Sequence, residues 1–176
     1  MTVSAEPVEL LDEFCPDPSA AFILNNGLAY YVAHVFGLVE FVTEAFLLPA
    51  KKQLCLLNYV GVVLILLGQL ARSLAMVHAS SNFSHAVAYR KRPDHELVTS
   101  GVYSLSRHPS YFGFFCWAVG TQLLLGNPVG ACGYAAVLWN FFANRIRGEE
   151  KYLVEFFGEE YIAYRKRVTT LIPFLR

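Results

Sequence analysis

The sequence predicts an all-α integral membrane protein of two helical hairpins, about four membrane segments, followed by a cytoplasmic interfacial helix. Three observations carry that prediction. The 176 residues are 55% apolar and 16% charged, which is greasier than an average soluble domain. The apolar residues gather into four runs joined by short polar connections, and the basic residues fall almost wholly on one side of those runs.

Residues 1–22 read as a polar acidic tail. The first fifty residues contain no Lys or Arg, and five acids lie between Glu6 and Asp17. A basic start and a small-residue cleavage site are both missing, so nothing argues for secretion. Residues 23–176 read as one membrane domain. Its first run, Leu24 to Leu48, exceeds the ~20 residues that a crossing needs and carries Asn25, Asn26, His34, Glu40 and Glu44. Such a segment faces other helices, and Glu40 and Glu44, one turn apart, are expected to pair with Arg72 or His78. The second run, Leu54 to Val77, is the cleanest membrane helix. Only "PAKKQ" separates the two, which predicts an antiparallel hairpin. The third and fourth runs, Tyr111 to Leu125 and Val129 to Phe142, are joined by Gly126-Asn127-Pro128. Each is short for a span, so the pair is either tilted or only partly crosses the bilayer. Leu153, Phe156, Phe157, Tyr161 and Tyr164 then recur at helical spacing among charges, the pattern of an interfacial helix with a break expected at Gly158. Cys55, Cys116 and Cys132 lie in apolar runs and read as buried thiols; with Cys15 they form no disulfide framework and no metal pattern.

If each hairpin returns the chain to its starting side, that side holds Arg90, Lys91, Arg92, Arg107, Arg145, Arg147, Lys151 and the basic C-terminus, against Lys51 and Lys52 opposite. The positive-inside rule makes the tail, the middle loop and the C-terminus cytoplasmic.

One stretch needs more than anchoring to explain it. In "GVYSLSRHPSYFGF", Pro109 suits the first turn of a helix, which makes His108 its cap and offers unpaired N–H groups to an anion at the membrane surface. "NRIRGEE" brings Arg145, Glu149 and Glu150 to the same depth at the far end of the hairpin. Arg107 reads either as a snorkelling residue or as part of a site, and His108 either as a plain cap or as a ligand. Arg90 to Arg92 read as a patch facing headgroups. Together they place costly ionisable residues at one mouth, the mark of a working site.

The segments "SNFSHAV", "HELVTSGVYSLSRHPSYFGFF", "GTQLLLGNP" and "GEEKYLVEFFGEEYIAYRKRV" resemble the isoprenylcysteine carboxyl methyltransferases of the endoplasmic reticulum, from about Phe22 to the C-terminus. The resemblance implies a multi-pass endoplasmic reticulum enzyme facing the cytosol. It would methylate the C-terminal carboxylate of farnesylated or geranylgeranylated cysteine on processed CAAX proteins, with S-adenosylmethionine as donor. It implies a cofactor-binding loop and cofactor contacts at His95, Glu96, Leu97, Val98, Tyr103, His108, Pro109, Ser110, Tyr111 and Glu149. Arg145 matches the substrate-binding, catalytic arginine. Expected partners are prenylated proteins and membrane lipids, not nucleic acid. Two departures stand out: a glutamine frequent in the family is matched by Ala88, or nearby Tyr89, and larger members have further helices ahead of Leu24, so a short form is expected.

The residue types suit that chemistry. A C-terminal carboxylate with a pKa near ~3.5 is already ionised, so attack on a sulfonium methyl needs no base. Orientation and a dry site matter instead. The competing classes are a phospholipid N-methyltransferase, against which an arginine facing a cationic headgroup counts, a membrane sterol reductase, and an inactive truncated membrane relative.

Overall fold

A computed structural model of the chain describes residues 28–83, 90–91, 93 and 95–175. The acidic tail with Cys15, residues 84–89 with Ala88 and Tyr89, and Arg92 lie outside the described residues. Five α-helices are present among them: α1 (Leu28–Leu47), α2 (Leu56–Ala79), α3 (Pro109–Leu124), α4 (Pro128–Phe157) and α5 (Glu159–Arg167). The chain divides into two compact units, Met1–Val35 and Phe36–Arg176. Of the first, the described part is the opening of α1, where the His34 ring bonds the Tyr30 carbonyl at 2.9 Å. Apart from α1, which begins in the first unit, all that follows concerns the second. Two helices, α1 over Tyr30–Leu47 and α2, are long and apolar enough to cross a membrane.

The tightest helix pair is α2 with α3, not the two helices joined by "PAKKQ". Glycines cause this. A Cβ built on Gly68 would come within 2.5 Å of the Gly113 carbonyl oxygen, and one on Gly113 equally close to that of Gly68; two turns away, Gly61 and Gly120 meet in the same manner. Any side chain there would force the backbones apart, so these small residues set the separation and depth of the pair. The opposite face of α2 exposes Leu56, Tyr59, Val63, Leu66 and Leu70, as a helix bordering lipid does.

At the end of α3 the orphan carbonyls expected of a helix terminus are taken by residues far away in sequence. Asn58 Nδ2 donates to Leu123 O and Leu124 O at 3.2 and 2.9 Å, while its Oδ1 accepts the Cys55 N–H and caps α2. Lys52 Nζ donates to Leu125 O, Gly126 O and Asn127 Oδ1 at 3.1, 2.9 and 2.8 Å, and pairs with Glu44 at 2.8 Å. The Glu40 carboxylate accepts the Val129 and Gly130 N–H groups at 2.8 and 2.7 Å. It thus neutralises the positive end of α4. This corrects the expectation of pairing with Arg72 or His78: the glutamates serve the α3–α4 turn, and Arg72 instead lies over the Phe114 ring, 5.0 Å from its centroid.

The fourth apolar run and the first half of the expected interfacial helix are one continuous helix of 30 residues, about 45 Å long. The break falls at Gly158, whose φ of 55° only glycine adopts readily. Helix α5 carries Glu159 and Glu160 in its first turn and Arg165, Lys166 and Arg167 in its last, matching its dipole. Beyond it the chain turns back as a strap. Ile172 and Leu175 are buried against Phe142, Ala143 and Ile146 of α4, and Trp139 Nε1 donates to Pro173 O at 2.7 Å. The cysteine expectation holds for Cys116 only; Cys55 and Cys132 are exposed on the protein surface.

Candidate active site

The site forms where α3 begins. Pro109 occupies the first turn, and His108 is the N-cap residue, with no capping bond from its own side chain. That frees its imidazole to stack with Tyr111, ring centroids 5.4 Å apart and planes 3° apart; Phe142 also stacks with Tyr111, at 5.1 Å. Packed against both rings, the phenol reaches Arg145 and Glu149, which are one turn apart on α4. Arg145 Nε donates to the Tyr111 hydroxyl at 2.8 Å, and that hydroxyl donates to Glu149 Oε2 at 2.7 Å. The guanidinium also lies over the Tyr111 ring, 5.3 Å from its centroid. Arg145 and Glu149 open onto a groove of about 560 Å³, lined further by Asn140, Phe141, Asn144 and Tyr152 of the same helix.

Beneath this lies a buried charge cluster. Arg107 donates from Nε to Glu150 Oε1 at 2.9 Å, with Nη2 at 2.8 Å from the same oxygen. Its Nη1 donates to the carbonyls of Arg165 and Val168 near the end of α5. The His108 Nε2 lies 3.5 Å from Glu150 Oε1, and Arg165 Nη1 lies 3.5 Å from Oε2. Burial alone would push the Glu150 carboxyl up, but His108 and the Arg107 charge outweigh it and hold the carboxyl at about 2. Glu150 is therefore ionised at any physiological pH. Burial, and then the Glu150 charge, push the nearby Tyr161 phenol well above its usual range. Arg107 is buried, not snorkelling, and it ties the segment before α3 to the C-terminal strap together with Arg107 N→Thr169 O and Ser106 Oγ→Thr170 O, both 2.9 Å.

The structure brings His108, Tyr111, Arg145 and Glu149 together, with Pro109 buried and Ser110 half-buried in the same turn. Tyr103 sits in a short 3-10 turn, Gly101–Ser104; its carbonyl accepts the Tyr164 hydroxyl at 2.6 Å, and burial and the Glu149 charge push its phenol up to about 12. Gly101, at φ 59°, packs on His78, whose Nδ1 accepts the Val102 N–H at 3.0 Å. His95, Glu96, Leu97 and Val98 lie further along: the His95 ring meets Phe156 and Phe157 edge-on near the end of α4, and Glu96 N donates to Asn82. Sequence reasoning placed Glu150 only as a neighbour of Glu149 and missed Asn140, Asn144 and Tyr152. The four-residue spacing of Asn140, Asn144 and Gly148 in an apolar run was the available signal.

Two helices long and apolar enough to cross a membrane, with a polar site where the start of α3 meets Arg145 and Glu149 of α4, define the class: a helical membrane protein. The chain belongs to the isoprenylcysteine carboxyl methyltransferase (ICMT) family, whose model matches residues 60–155. It is 50% identical over 165 residues to the protein-S-isoprenylcysteine O-methyltransferase of Saccharomyces cerevisiae, covering 89% of this chain and 68% of that protein. The human protein of the same name is 45% identical over 156 residues, with 89% and 55% covered. The solved structure of the eukaryotic intramembrane Ras methyltransferase ICMT superposes with a TM-score of 0.86 at 42% identity, covering 89% of this chain and 56% of that one. The chain thus spans between about half and two thirds of the length of these relatives.

Proposed function

We propose that this protein esterifies the C-terminal carboxylate of a prenylated cysteine on processed CAAX proteins, with residues 23–176 as the working domain. The observation that carries the reading is the Arg145–Tyr111–Glu149 chain of hydrogen bonds opening onto the groove. A guanidinium at a groove that is part apolar, with Val137 and Phe141, and part amide, with Asn140 and Asn144, suits a carboxylate attached to a lipid. It would repel the cationic headgroup of a phospholipid amine.

The residues present also fit S-adenosylmethionine. At the start of α3 the Ser110 N–H points out of the first turn, those of Tyr111 and Phe112 being taken by His108 O, and Glu149, partly exposed, has acceptor capacity for amine or hydroxyl donors. When bound, the cofactor supplies an electrophilic methyl on a cationic sulfur. The chain's own residues do the rest. Arg145 grips the substrate carboxylate with a fork, Tyr111 fixes that fork, and the aromatic layer of Tyr111, Phe142 and Phe114 keeps water out while opposite charges cancel. The prenyl chain, at about 0.8 kcal/mol per buried CH₂, supplies most of the binding from the lipid side. Two hairpins, an interfacial α5 and a cytosol-facing mouth at the endoplasmic reticulum membrane complete the reading. In sealed microsomes a thiol label is expected to reach Cys15 from the cytosolic side; a luminal Cys15 refutes that topology.

The test is a methyl-transfer assay with a prenylcysteine acid on the parent and on Glu149→Gln. The parent is expected to esterify the acid. The variant keeps the side-chain shape and loses the charge, so the KM for S-adenosylmethionine should rise while affinity for the prenylcysteine stays put. An inert parent, or a variant with unchanged cofactor affinity, overturns the corresponding part of the reading.

A further inference from the structure

The C-terminal strap, residues 168–175, has two apolar sides. Ile172 and Leu175 are 2% and 8% exposed and pack with Phe142, Ala143 and Ile146, whereas their neighbours Leu171 and Phe174 are 47% and 94% exposed. Both outward residues stand at positive φ, 61° and 62°, a conformation that bulky L-residues rarely adopt. The turn that presses one pair inward thus drives two large apolar side chains out.

The depth of the strap tells what they meet. Arg72, about 10 Å before the end of α2 at Ala79, lies over the Phe114 ring, and Phe114 meets Phe142 edge-on. Trp139 is one turn from Phe142 toward the α3–α4 turn, which sits at the far end of α2 beside Asn58. It is Trp139 Nε1 that holds Pro173 O. The strap therefore runs alongside α2, a helix able to cross a membrane, and not beyond its end. Its backbone is also paired as a segment shielded from water must be. Val168 O accepts from Arg107 Nη1, Thr169 O from Arg107 N, Thr170 O from Ser106 Oγ, Ile172 O from Leu175 N, Pro173 O from Trp139 Nε1, and Leu175 O from Thr170 Oγ1. Lys166 and Arg167, exposed at the end of α5 just before it, supply the positive charge that suits a layer of lipid phosphates.

We propose that the strap is a membrane contact: Leu171 and Phe174 insert among the acyl chains of the surrounding bilayer, while Ile172 and Leu175 hold its inner side against α4. The contact is independent of the reaction proposed for the site. Phe174 touches so little of the protein that its replacement can be felt only through what surrounds it.

The test is photocrosslinking of the full chain in phosphatidylcholine–phosphatidylserine nanodiscs, with p-benzoylphenylalanine in place of Phe174 and the products read by intact mass. Phospholipid adducts are expected at position 174, as with the same probe at the exposed Leu66 of α2, and none at the exposed Glu155 of α4. A probe at 174 that stays as unreacted as the one at 155 puts the strap in water, and adducts with a second copy make this face a protein interface; either result overturns the insertion. Melting gives a second readout. Phe174→Asp should lower the melting temperature in nanodiscs by about 5 °C, and Phe174→Leu should leave it unchanged. In a strap bordered by water the Asp variant would melt like the parent, and that outcome also overturns the proposal. Should Phe174→Asp fail to accumulate, the crosslink decides.

Discussion

Arg145→Ala is expected to lower turnover by roughly the 10²-fold that misplaced reactants lose, in a protein that stays folded and still binds S-adenosylmethionine. The expectation follows from where Arg145 sits. It is half-buried, held by the Tyr111 hydroxyl and laid over the Tyr111 ring, so its removal costs little packing but leaves the carboxylate without a partner. Arg145→Lys should rescue only in part, because a point charge cannot reproduce a planar fork. Arg147→Ala is the control. That side chain is exposed, with a 3.5 Å contact to Asn144 Oδ1, and its loss should be nearly silent. Methyl transfer to a prenylcysteine acid, followed beside a thermal melt and cofactor titration, checks all three. An essential Arg147 with a dispensable Arg145 would mean that the substrate lies on another face of α4.

Glu150→Gln should be the more damaging change to the fold. It leaves Arg107 buried with its charge uncompensated, and breaking a buried pair from one side costs about 3–5 kcal/mol. For a chain of this size that corresponds to a melting temperature lower by about 10 °C in detergent. Because the ionised Glu150 also orders His108 and, through Arg107, the end of α5, cofactor affinity should fall with stability. The pH dependence has a definite sign. The folded carboxyl lies at about 2, below the ordinary value near ~4.3, so its contribution is complete above the ordinary value and is lost as pH falls from there toward 2. In the Gln variant the melting temperature should be flatter across that window. A parent and variant with parallel acid profiles would remove Glu150 from this role.

The parts of this architecture that were legible in the sequence are those that local chemistry decides. Pro109 and Pro128 announce two helix starts, Gly126 and Gly158 two stops, and Arg145 and Glu149 declare a shared face by their spacing. What was not legible is the choice of distant partners. Arg107 and Glu150 are 43 residues apart, and Glu40 lies 89 from the Val129 N–H it caps. Several polar side chains could have served in each place, and only the packed chain selects among them. The α2–α3 contact stands between the two cases. Gly61 and Gly68, like Gly113 and Gly120, repeat at seven residues, or two turns, a pattern visible in advance but uninformative until the helices are known to face each other. The length of α4 was misjudged because its charged second half looks like a surface helix while its backbone simply continues.

That continuity constrains how the protein can diversify. Arg145 and Glu149 ride on one rod without a hinge between Pro128 and Phe157, anchored below by Glu40 and above by the strap. Tilting the rod would carry the proposed carboxylate grip and the proposed cofactor contact along together, like two marks on one lever. Their mutual distance is thus not an adjustable variable. On the function proposed above, tolerance for isoprenoids of different length falls to parts of the protein other than α4, and selection for a new lipid should leave its trace there while residues 140–152 stay as they are.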